Sequence, residues 1–173
     1  SDAEISGNHS SSQSQPEKQL HGSTSGENYD LCGAFIMSFD IKLFYEKWLG
    51  DIRDCQRESG AIPTIAPMGT AWGYNSNGGP VWDSALIMIP YQYYEYTGDK
   101  SLIEQNIEAI KADISFFEQI STDYIVDEGI GDWVSPKEYP KPEWPYKVVI
   151  TAYYYGNVLT TAKCMDVLGE DSS

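Results

Sequence analysis

The sequence predicts an all-α fold: about four main helices joined by long aromatic loops, forming part of an α/α toroid. Three observations carry this. Apolar residues recur at three- and four-residue steps through Phe39–Glu58 and Leu102–Ile120, the signature of amphipathic helices. Within Gly78–Asp99 the run Ala85–Ile89 is apolar all round, which describes a helix enclosed by other helices. No segment alternates with period two, so no sheet is expected. Helix pairs whose linking loops gather aromatics and acids suggest a toroid in which the loops at one end line a pocket. Four helices do not close such a ring, so the chain reads as part of one.

The elements follow in order. Residues 1–28 form a polar segment rich in Ser, Gln, Gly and Asn, too poor in apolar side chains to fold alone and expected to be disordered. A partial α/α-barrel domain is expected over residues 29–173. In Phe39–Glu58 the stripe is Ile41, Phe44, Trp48, Ile52 and Cys55, with Gly60 ending the helix. Pro63 and Pro67 make Ala61–Trp72 an extended, ordered loop, and GYNSNGGP leads into the central stretch. That stretch begins at Trp82-Asp83, carries Pro90, which removes one helical hydrogen bond, and closes at Gly98. In Leu102–Ile120 the stripe is Ile103, Ile107, Ile110, Ile114 and Phe117, with Ser101 as N-cap and Glu104 at the capping-box position. Thr122–Pro145 is a long loop holding Gly131-Asp132-Trp133, and its tryptophans favour an ordered one. The last helix covers about Lys147–Leu168, with Val148, Ala152, Tyr155, Leu159, Ala162 and Met165 on one face and Gly169 as its stop.

Composition narrows the function. A formal charge of −15 argues against nucleic acid and anionic membrane as partners. No apolar run approaches the roughly 20 residues that span a bilayer. The N-terminal stretch lacks the apolar core of a signal peptide, which points to the cytoplasm, with an extracellular origin left open for a piece of a longer chain. The three cysteines are too scattered for a disulfide framework or a zinc site, and the two histidines, His9 and His21, lie in the polar segment. Neither a metal nor a cofactor is expected. Any chemistry falls to carboxylates.

At the entrance of the central stretch an indole, Trp82, stands beside a carboxylate, Asp83, and a glycine-rich loop. That combination suits a sugar, whose C–H face stacks on an aromatic while its hydroxyls bond to acids. An indole plugging the end of a core is the plainer alternative.

Four blocks carry a resemblance: FDIKLFYEKWLGDIRDCQRESGAIPTIAP, GGPVWDSALIMIPYQYYEYTGDKSLIEQN, GDW and TAYYYGNVLTTAKCMDVLGE. In this order and spacing they resemble consecutive parts of bacterial α-L-rhamnosidase catalytic domains, from about Phe39 to Glu170. The resemblance implies an (α/α)6 barrel and hydrolysis of terminal α-L-rhamnosides with inversion, by a carboxylate acid and base. An inverting pair stands roughly 6.5–9.5 Å apart so that a water fits between. The family's acid lies in a run like Asp-Cys-Pro-x-Arg-Glu-x-Leu-Gly-Trp-x-Gly-Asp just upstream of Phe39-Asp40. Counted back without gaps, its final Gly-Asp falls on Gly26-Glu27, and LHGSTS before it supplies neither the glutamate nor the tryptophan. Glu17 is the candidate acid of a shifted echo, beside the plainer reading of an unstructured tail. The family's base lies in a later unit beyond Ser173, so the chain alone is expected to be inactive.

Trp82 and Trp133 match tryptophans that wall the family's sugar pocket, and Glu27, Asp83 and Asp132 join them as candidate substrate-binding acids. Many members read Trp-Gly-Asp-Ala where this chain reads Trp82-Asp83-Ser84-Ala85, so its acid stands one place earlier. Asp132, flanked by glycine, also reads as an acid that fixes its own turn. The expected partners are a rhamnose-containing glycoside and either the rest of the barrel or a second copy of the chain. Two other readings stay open: a non-catalytic helical module binding saccharide or a partner chain, and another (α/α)6 glycosidase.

Overall fold

The computed structural model describes residues 26–67, 78–129 and 146–172. Among them are five helices: α1 Gly26–Ser38, α2 Lys42–Cys55, α3 Pro80–Thr97, α4 Ser101–Ile120 and α5 Tyr146–Leu168. No strand occurs among these residues. An isolated bridge pairs Thr122 with Ile125 around a tight turn, with Asp123 and Tyr124 in the left-handed region at φ 51° and 62°.

The helices lie in two layers. α3 packs most heavily on α5 and α1, while α2 and α4 lie side by side behind them. Cross-contacts set the directions. Met88 meets Thr160 and Pro80 meets Asn157, so α3 and α5 run parallel. Phe117 meets Tyr154 while Lys111 pairs with Glu170, so α4 runs against α5. Lys42 bonds Asp99 at 2.7 Å, Arg53 bonds Asn106 at 2.7 Å and Gln56 bonds the Ala109 carbonyl at 2.9 Å, so α2 and α4 run parallel. Short turns, residues 39–41 and 98–100, join helices at one end. The long connections 56–79 and 121–145 deliver the chain to the N-termini of α3 and α5 at the other.

α3 is the hub that its apolar sequence implies. Val81 and Ala85–Ile87 are buried, as are Ile89 and Tyr93. Gly79 (φ 87°) turns the chain into Pro80 at the first helical position, where a proline loses no hydrogen bond. Gly98 (φ 74°) ends it, its N–H donating to Tyr94 O at 2.7 Å.

Four details differ from the sequence expectations. α1 is a helix that no stripe announced. α2 ends at Cys55 rather than near Gly60, and Gly60 (φ 94°) instead turns the chain tightly against the Ala112 carbonyl of α4. Ser101 is not a side-chain cap: its backbone N–H is taken by the Asp99 carboxylate at 2.9 Å, one turn ahead of the helix body. On α5 the expected face is largely exposed, with Val148 64% and Tyr155 66% accessible. Its buried face is Ile150, Tyr154, Asn157, Thr161 and Cys164. The reason is partner geometry: Tyr154 must meet Phe117, and Asn157 must reach the first turn of α3.

Candidate functional site

α3 and α5 run parallel, and the long connections lead into their N-terminal ends. Trp82 stands there in the first turn of α3, half-buried, packed beside a cluster that includes Val81, Phe117, Val126, Ile150 and Tyr154. Its backbone N–H and that of Asp83 both donate to Gly79 O, at 2.9 and 3.0 Å.

Asp83 turns the other way. It is 1% exposed and faces Asp113 of α4, itself 0% exposed. A Cβ on Gly78 would come within 2.6 Å of Asp83 Oδ1, so the carboxyl lies directly beneath the Gly78–Gly79 turn. Neither carboxyl has a well-formed hydrogen bond among the described residues, the Gly79 backbone amide alone lying near enough to Asp83 to favour its charged form. Burial pushes the Asp83 carboxyl well above the usual carboxylate range, reinforced by the charge of Asp113, while the nearby Gly79 amide pulls weakly the other way. Burial likewise pushes Asp113 up, opposed by its contact with Asp83. Two buried carboxyls facing each other disfavour double ionisation, and both are held above the usual carboxylate range.

Two further contacts fix this entrance. Asn157 Nδ2 of α5 donates to Pro80 O at 2.8 Å, and the Ser84 hydroxyl lies 3.0 Å from Asn157 Oδ1. Gly129 (φ 111°), in the connection before α5, packs so closely that a Cβ there would come within 2.5 Å of Gly79 Cα. The two long connections therefore touch at their glycines.

The remaining candidates divide simply. Glu27 lies in the first turn of α1, and its side chain is outside the described residues, as are Glu17, Asp132 and Trp133. Asp113 went unremarked in the sequence, although its place between Ile110 and Phe117 on the buried stripe was a usable signal. The two buried thiols are poor nucleophiles: burial pushes Cys32 up to about 11 and Cys164 up to about 12. No group of three or more potential metal ligands occurs among the described residues. An open groove of about 520 Å³ lies elsewhere, between α4, the Thr122–Ile125 turn and α5, and Trp82 does not line it.

Residues 26–173 match the family described as the bacterial alpha-L-rhamnosidase 6 hairpin glycosidase domain. An alpha-L-rhamnosidase of Streptomyces avermitilis is 30% identical over 131 residues, covering 75% of this chain and 12% of that protein. One from Formosa agariphila is 28% identical over 141 residues, covering 78% of this chain and 15% of the relative. The fold superposes on the alpha-L-rhamnosidase of Dictyoglumus thermophilum with a TM-score of 0.74 at 32% identity, over 83% of this chain and 16% of that one. It superposes on the Streptomyces avermitilis enzyme complexed with L-rhamnose with a TM-score of 0.75 at 26% identity, over 86% of this chain and 14% of that one. The chain thus spans about a seventh of the length of the relatives it matches.

Proposed function

The chain belongs to the bacterial α-L-rhamnosidase six-hairpin glycosidase family, and from that premise we propose that it forms one wall of a pocket for terminal α-L-rhamnosides. The observation that carries the reading is the half-buried Trp82 in the first turn of α3, beside the point where Gly129 of the second long connection meets Gly79 of the first. An aromatic there offers a flat apolar face to the C–H side of a sugar ring. Trp133, on the second connection, is assigned the facing wall, and Glu27 and Asp132 the hydroxyl contacts. Asp83, turned inward, is assigned to support rather than to direct contact with the sugar. The complex of a relative with L-rhamnose supports the choice of sugar.

The reaction assigned to the whole domain is inverting hydrolysis by a carboxyl pair. Asp83 and Asp113 are not that pair, because carboxyls in contact leave no room for the attacking water. The acid is sought upstream, with Glu17 as candidate, and the base in a later helical unit. General acid and base catalysis are each typically worth about 10²–10⁴ in rate, so a chain without both turns over no detectable substrate. The test is an aryl α-L-rhamnoside assay on the purified chain. No release of the phenol is expected. Clear hydrolysis that vanishes in Glu17→Gln would overturn the assignment of an inactive part and make Glu17 the acid.

A further inference from the structure

The buried Asp83–Asp113 pair touches neither the proposed sugar nor the reacting groups, and its setting is unusual. Asp83 lies next in sequence to Trp82, in the first turn of α3. Asp113 reaches it from α4 in the outer layer. Around them, Asn157 holds Pro80 O from α5, and Gly129 presses on Gly79 from the second long connection. Three elements thus converge on the turn that aims the indole, and the contact from α4 is made by two acids rather than by an acid and a base.

We infer that Asp83 and Asp113 are positioning residues: a carboxyl pair that shares one proton and thereby clamps the entrance of α3, setting the orientation of Trp82. The physical ground is that, among the described residues, only the Gly79 amide lies near Asp83 and no well-formed hydrogen bond reaches either carboxyl. With both groups ionised, four carboxylate oxygens would lie buried without a well-formed hydrogen bond from a described group, two like charges facing each other. One proton between them removes a charge and supplies the missing O–H donor. Among the described residues, the groups around the pair add no countercharge. From α4 comes Asp113 itself, from the Gly78–Gly79 turn only the backbone amide, and from α5 the Tyr154 phenol, whose own ionisation is made harder by burial and by the charges of Glu118, Tyr124 and Asp113.

The pH dependence has a definite sign. Both carboxyls hold their protons more tightly folded than unfolded. Their stabilisation is therefore fully present below the ordinary aspartate value of about 3.9 and fades as pH rises through the raised folded values. The clamp loosens as its proton leaves, and Trp82 moves with it.

The test is made without sugar, so that failure of rhamnose binding and failure of the clamp are read separately. The signal is the emission of Trp82, taken as the difference between the parent chain and Trp82→Phe, from about pH 4 to 9. In the parent it is expected to shift with a midpoint above the ordinary carboxylate range. In Asp113→Asn the amide donates to Asp83 at every pH without a proton to lose, so the low-pH emission is expected to persist to pH 9. An unchanged shift in both Asp113→Asn and Asp83→Asn would overturn the proposal. Carboxyl-carbon NMR of the parent gives a second reading that needs no variant. Linked titrations above the ordinary range are expected, and independent titration of both groups near about 3.9 would overturn the clamp.

Discussion

Gly60 and Gly98 both have φ in the left-handed region, at 94° and 74°, yet only Gly60 is hemmed in. A Cβ on Gly98 would meet nothing within 4 Å, so Gly98→Ala is expected to cost only the backbone term, about 1–2 kcal/mol. A Cβ on Gly60 would strike the Ala112 carbonyl, which is helix backbone and cannot step aside. Gly60→Ala is therefore expected to cost more than Gly98→Ala, by at least about 1 kcal/mol, in urea unfolding monitored by circular dichroism. Equal midpoints would show that the contact of the Gly60 turn with α4 gives way easily. The sequence marked both residues as punctuation but not the difference between them. A glycine that stops a helix and one that lets two backbones touch look alike until the partner is known. The place of Trp82 at the entrance of α3 was legible from the Gly-Gly-Pro turn before it. The inward turn of Asp83 was not, because it depends on Asp113, thirty positions away, and on a glycine pair that leaves room for the carboxyl.

At the scale of the element, the 98–100 turn joins α3 to α4, and Asp99 secures it twice. Its carboxylate accepts from the Ser101 N–H at 2.9 Å and from Lys42 Nζ at 2.7 Å. The Lys42 bond first, then the Ser101 amide, lower the Asp99 carboxyl to about 2. A folded value below the unfolded one gives stability present above about pH 4 and lost as pH falls through about 2. The Asp99 side chain is 36% exposed, so water screens much of the ion pair and the amide bond carries the larger share. Asp99→Ala is expected to destabilise by about 1 kcal/mol at pH 7 and by almost nothing at pH 2, in thermal unfolding at both values. An equal loss at both would refute a role for the ionised form. α4 was the most readable helix: Ile103, Ile107, Ile110 and Phe117 are all buried as their spacing implies. α1 was missed because GENYDLCGAFIMS mixes polar, small and apolar residues without a stripe, and only packing on α3 makes it a helix. α5 was readable as a helix and not as a face. Apolar residues surround it, and the polar Asn157, which seats it on α3, is what periodicity alone discards.

Across the whole molecule, the two layers leave α5 covered on one side only. Val148, Tyr155 and Leu159 lie exposed, and near them Tyr124 and Ile125 edge the open groove. Contiguous apolar surface of this kind finds a partner in water, in the rest of a barrel or in a second copy. The isolated chain is expected to sediment as a concentration-dependent mixture and to bind a hydrophobic dye, with Tyr155→Glu reducing both. A compact monomer that ignores the dye would contradict the picture of an open barrel segment. No helix among the described residues is long and apolar enough to cross a membrane. The central claim, however, concerns the opposite feature: that the end carrying Trp82 meets a rhamnose ring. Saturation-transfer NMR with free L-rhamnose measures this most directly, comparing the parent chain with Trp82→Ala and using Trp48→Phe as a buried-indole control. The account predicts transfer to the sugar's C–H protons in the parent and in Trp48→Phe, and its loss in Trp82→Ala with helical content retained. Transfer of equal strength in Trp82→Ala would contradict it and return Trp82 to the role of a plug at the end of the core.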